Sequence, residues 1–161
     1  MKFKTFLAGC LGGLLSLNSC TNSPDMTDYA AYVNPFIGTG GHGHTFPGAI
    51  VPHGMISPSP DTRIDGWDAC SGYYYADSTI NGFSHTHLSG TGCCDYGDVL
   101  LMPTVGEQKY LPTGSQSQQM AYASAFSHQN ETAEPGYYSV FLDTYQVKAE
   151  LTASKRDRKS V

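Results

Sequence analysis

Charged side chains are scarce in this sequence. Asp, Glu, Lys and Arg make up 14% of its 161 residues, against roughly 25% in an ordinary globular domain. Disorder of the usual kind combines high charge with few aromatics, and the 12% aromatic content excludes it here. Cations are scarcest in the body of the chain. Lys2 and Lys4 stand at its start and Lys155, Arg156, Arg158 and Lys159 at its end, which leaves Arg63, Lys109 and Lys148 between them. So few cations make no basic patch for a phosphate backbone, so nucleic acid is excluded as a partner. Long apolar runs are also missing beyond the first twenty residues, and no later stretch is long and apolar enough to cross a membrane as a helix.

Several catalytic signatures are absent. There is no Gly-x-Ser-x-Gly elbow for a serine hydrolase. Neither Cys-x-x-Cys nor His-Glu-x-x-His spacing occurs. The stretch GGHGHT at 40–45 lacks the third glycine and the strand–loop–helix setting of a dinucleotide fingerprint, and no Gly-Lys-Ser/Thr follows it to make a phosphate loop.

The start of the chain reads as an export signal. Lys2 and Lys4 precede the apolar run Phe6–Leu17, and LNSC closes the segment at Cys20. A cysteine in that place predicts a bacterial lipoprotein, with residues 1–20 as signal peptide and Cys20 as the lipidated residue. LAGC, ending at Cys10, leaves almost no apolar run before a cut, and an ordinary signal peptide cut near Ser19 is the alternative. Residues 21–31 are polar and read as a tether. The expected location is the periplasm or cell surface, with a lipid anchor in the outer membrane.

Length allows one domain, expected over 32–151. Its Gly-, Pro- and Tyr-rich first part has too many breakers for helices. Short strands are expected at 49–51, 55–57, 72–75 and 82–87, with a turn at 77–81 and a buried strand from Asp98. Residues 125–138 read as strand–turn–strand. YYSVFLDTYQVKAELTA, from Tyr137, alternates with period two and is the clearest strand pair. The fold predicted is all-β, an antiparallel β-sandwich. Residues 152–161 change abruptly into an atypical basic tail.

Chemistry concentrates in two stretches. GFSHTHLSGTGCCDYGD (82–98) holds His85, His87, Cys93, Cys94, Asp95 and Asp98. On a strand, His85 and His87 would face the same side, and zinc ligation, bracing of a glycine-rich turn and contact with a polar ligand are all open readings. His42 and His44 repeat the i, i+2 spacing. Cys70 pairing with Cys93 or Cys94 suits an oxidising compartment, as do three free thiols. DGWDACSGYYY (65–75) brings Asp65, the sole tryptophan Trp67, Asp68 and Cys70 together with three tyrosines. An aromatic ring flanked by carboxylates can stack on a sugar and bond its hydroxyls, whereas a Trp67 that fills the core is the alternative. Glycosidases use two carboxyl groups, but spacing singles out no pair here.

Two long motifs, YVNPFIGTGGHGHTFPGAIVPHGMISPSPDTR and GWDACSGYYYADSTINGFSHTHLSGTGCCDYGDVLLMP, resemble the N-terminal region of glycoside hydrolase family 92, exo-acting α-mannosidases. The resemblance covers about Tyr32 to Leu151. It implies a β-sandwich that packs on a C-terminal (α/α)6 barrel, with the centre between them. It implies calcium-dependent, inverting release of mannose from mannose-containing glycans. The acid, the base and most calcium ligands are expected in the C-terminal part, so no catalytic residue is assigned here and this chain is expected to be incomplete as a catalyst. Trp67 resembles the aromatic wall beside the terminal mannose, and Asp68, Cys70, His85 and His87 fall in neighbouring motifs as expected substrate-binding residues. AELTAS running into KRDRKSV departs from the family and suggests truncation or a shifted reading frame. A stand-alone glycan-binding lipoprotein and a nonfunctional fragment are the rival readings.

Overall fold

The computed structural model describes residues 27–63, 65–107 and 119–156, with the backbone of 158–160. The expected signal peptide, Cys20 and most of the tether lie outside the described residues. Secondary structure among the described residues is antiparallel strand and three single 3-10 turns.

The period-two alternation from Tyr137 builds the main sheet. Strands β5 (Glu131–Glu134), β6 (Tyr137–Leu142), β7 (Val147–Ala153) and β8 (Arg158–Ser160) pair in chain order, each antiparallel to the last. In β6, Tyr138, Val140 and Leu142 point inward and are fully buried, as is Leu151 of β7, with Ala149 buried beside it. The register sets Val140 opposite Ala149 and Tyr138 opposite Leu151, so one face is apolar along its length. Gly136, at φ +79, closes the β5–β6 turn in the left-handed region.

Two small pairs cover that face. β1 (Ser59–Asp61) pairs with β3 (Gly82–Ser84), and β2 (Thr79–Ile80) with β4 (Ser124–Ala125). Ala49, Ile80, Phe83 and Phe126 meet Tyr138, Val140, Leu142, Ala149 and Leu151 in one apolar cluster between the layers. Two antiparallel layers around a single core are the β-sandwich the sequence predicts.

The expected strands of the first part are shorter or displaced. Residues 49–51 and 55–57 are irregular, because Pro47, Pro52, Pro58 and Pro60 cannot donate along a ladder. Single bonds replace the ladder there, such as Ala49 N–H to Pro58 O at 2.9 Å and Ser57 N–H to His85 O at 2.9 Å. Residues 72–75 form a loop that opens at Gly72, φ +91. The strand expected over 82–87 stops at Ser84, and the stretch from Asp98 makes only the isolated bridge Phe83–Leu101. The expected turn at 77–81 contains β2 instead.

Candidate functional site

Trp67 does not fill the core. It opens a 3-10 turn (Trp67–Ala69) after Gly66, whose φ of +98 suits glycine. The indole is 56% exposed, although it is the sole tryptophan. His44 stands edge-on to it, ring centroids 4.5 Å apart at 89°, and His42 lies beside it at 5.0 Å and 48°. Asp68 Oδ1 lies 2.5 Å from His42 Nδ1. A Cβ placed on Gly92 would come within 3.3 Å of the indole nitrogen, so the backbone of the 82–98 stretch also closes on Trp67.

Behind this surface lies a cavity of about 140 Å³, lined by Asp61, Arg63, Cys70, Ser71, His87 and Cys94 among others. His87 is its most constrained group. Its Nδ1 donates to Ser57 O at 2.8 Å, while its Nε2 faces Asp61 Oδ1 at 2.9 Å and Ser84 Oγ at 3.0 Å. A carbonyl and a carboxylate only accept, so bonds to both Ser57 O and Asp61 require a hydrogen on each ring nitrogen of His87. The other Asp61 oxygen takes Ser84 N–H at 2.9 Å. A side chain at Gly72 would meet Asp61 Oδ1 at 2.5 Å and His87 Nε2 at 3.0 Å, so only glycine fits against this pair.

Each expected site residue therefore has a place. Trp67 and Asp68 form the exposed surface. Cys70 and His87 line the cavity behind it. His85 joins neither: its Nδ1 donates to Val99 O at 2.9 Å. His85 and His87 fail to act as a same-face pair because the strand that would align them ends at Ser84.

The three described cysteines are free. Cys70 is buried, and Cys93 and Cys94 are exposed. Burial, reinforced by Cys70, Asp65 and Cys93, pushes the Cys94 thiol above its ordinary value. It therefore stays protonated at neutral pH and donates to Gly66 O at 3.5 Å. No three His, Cys, Asp or Glu side chains converge as a metal set among the described residues. Calcium needs about six to eight oxygens, so these residues do not fit a complete calcium site.

Two partners went unread in the sequence. Asp61 lies 26 residues from His87, and His42 lies 26 residues from Asp68. The paired spacing of His42 and His44 was visible, but nothing in it pointed to Trp67.

Comparison with known proteins gives this arrangement relatives. The family model described as the glycosyl hydrolase family 92 N-terminal domain matches residues 32–157. A family 92 α-mannosidase of Bacteroides thetaiotaomicron, solved in complex with mannoimidazole, is 48% identical with a TM-score of 0.76 over 81% of this chain. An inverting family 92 mannosidase of the same organism is 32% identical with a TM-score of 0.61 over 80%. An uncharacterized secreted glycosidase of Arthroderma benhamiae is 32% identical over 129 residues, 80% of this chain. The chain spans 17% of each of the two structures and 16% of the fungal protein.

Proposed function

From the premise that this chain belongs to glycosyl hydrolase family 92, as its N-terminal domain, we propose that it forms one wall of a mannose-binding cleft in an exported α-mannosidase. A C-terminal (α/α)6 domain forms the opposite wall and carries the acid and base of an inverting reaction on mannose-containing glycans. Cys20 carries the lipid that holds the protein at the outer membrane.

One observation supports this reading above the others. The single tryptophan stands exposed on a rigid turn with imidazoles and a carboxylate around it, where burial would have been the cheaper use of so large a ring. An indole face with polar groups at its rim stacks on a pyranose and bonds its hydroxyls. Asp68 shares that rim, Cys70 and His87 set the floor behind it, and His85 fixes the return of the chain at Val99.

Calcium supplies charge at sugar hydroxyls in this reading. Most of its ligands lie in the C-terminal domain in this reading.

The test compares the 161-residue chain with the same chain joined to the C-terminal part of the mannoimidazole-bound relative. The joined protein should release mannose from an α-mannoside, lose that activity with a chelator and regain it with calcium. The short chain should release none. Robust release by the short chain, or none by a folded joined protein, overturns the proposal.

A further inference from the structure

The histidine pair in GGHGHT has no role in the reading above, yet it supplies half the surroundings of Trp67. We propose that His42 is a sugar-contacting residue, aligned by Asp68, and that His44 is the positioning residue that sets the angle of the indole. This rests on the cleft assigned above and deepens it.

The backbone shows why two histidines one residue apart serve different ends. Gly43 admits no side chain, because a Cβ there would lie 2.1 Å from Gly38 O. His44 follows with φ +53, in the left-handed region that few side chains adopt. That reversal sends the neighbouring rings to different depths. His44 is 8% exposed and the His42 side chain 72%. Thr45 N–H to Gly38 O at 3.3 Å and Gly90 N–H to His44 O at 2.7 Å fix the turn on both sides.

His44 turns inward against Trp67. Its Nε2 is buried and has no hydrogen-bond partner among the described residues. An orphaned buried ring nitrogen is costly, and the His44 ring that carries it stands edge-on to the indole, 4.5 Å away. A strained backbone and an unsatisfied nitrogen kept at one residue are expected at a functional site rather than a purely structural one.

His42 turns outward. Asp68 only accepts, so Nδ1 of His42 carries the hydrogen in their 2.5 Å bond. Nε2 is then left exposed at the rim of the indole, free to accept from a hydroxyl when the ring is neutral or donate to one when it is charged. Aspartate thus selects the tautomer, and a pyranoside stacked on Trp67 places ring hydroxyls at that rim. The ligand class is a neutral pyranoside with adjacent hydroxyls.

Methyl α-mannopyranoside titrated into the full chain tests this, read by the emission of the single tryptophan and by the ring ¹⁵N shifts of His42. H42A should weaken binding by about tenfold and leave the melting transition unchanged, because the ring is exposed. D68N should lower affinity less and move the His42 proton between ring nitrogens, a signature that lost packing would not give. H44A should change the emission of Trp67 before any sugar is added. If W67A abolishes binding while H42A and D68N bind as the parent does, the inference fails and the cleft stands. If the parent chain binds no sugar by either readout, the same variants are compared in the joined protein, where an unchanged KM in H42A and D68N overturns the inference and leaves the cleft standing.

Discussion

At the scale of single residues, burial rather than position in the sequence decides what each polar group does. Glu131 shows this most clearly. Its side chain is 1% exposed and accepts from Tyr73 Oη at 3.0 Å, from Tyr138 Oη at 2.6 Å and from His128 Nδ1 at 2.6 Å. Burial, then the Glu131 carboxylate, pushes both phenols far above their ordinary value. The fold favours the neutral phenol, so the folded value exceeds the unfolded one near about 10. Stability is therefore complete below about pH 10 and falls as pH rises further, because the unfolded chain ionises first. Urea midpoints should drop across that window, and the drop should shrink in Tyr73→Phe, which itself costs about 1–2 kcal/mol at neutral pH. Gly72→Ala is a second residue-scale case. The left-handed φ and a Cβ 2.5 Å from Asp61 Oδ1 predict a loss of at least about 2 kcal/mol by urea denaturation, with the His87–Asp61 contact displaced.

At the scale of elements, the chain divides into a regular half and an irregular one. Strands β6 and β7 were legible because their side chains alternate without a breaker, and the structure turns Tyr138, Val140 and Leu142 inward. The two faces should respond differently to truncation. Leu142→Ala removes a fully buried side chain from the centre of the core and should cost about 2–5 kcal/mol. Lys148→Ala, on the solvent face of β7, should leave the urea midpoint where it was. The first half was only partly legible as strands, with the run expected at 82–87 present over Gly82–Ser84, because prolines and glycines break period-two runs before they reach useful length. Its segments are held by scattered single bonds, such as Met55 N–H to Lys155 O at 3.0 Å, which leave no periodic trace in the sequence. Arg63 is held in the same way, by a paired contact with Asp77 at 2.7–3.1 Å and by Tyr74, whose ring lies 4.4 Å beneath its guanidinium.

At the scale of the whole molecule, apolar side chains remain exposed on the segment that carries the site. Trp67, Leu88, Tyr96, Val99 and Leu101 are all between 45% and 65% exposed. In the proposed cleft, the C-terminal domain covers part of this surface. Hydrogen exchange should then slow at residues 88–101 in the joined protein relative to the 161-residue chain, while exchange in β6 and β7 stays the same. Equal exchange in both would place the covering domain elsewhere. By itself the sequence determined the β-rich class, the β6–β7 pair and the two motifs that carry the family resemblance. Composition, alternation and contiguous motifs are local properties, and each can be read without knowing what touches what. Only the tertiary structure decided that His42 meets Asp68, that His44 rather than His85 stands against Trp67, and that Asp61 and His87 share a buried contact closed by Gly72. Those contacts join residues far apart in the chain, and they depend on the turns at Gly43, Gly66 and Gly72, whose geometry a one-dimensional pattern does not carry.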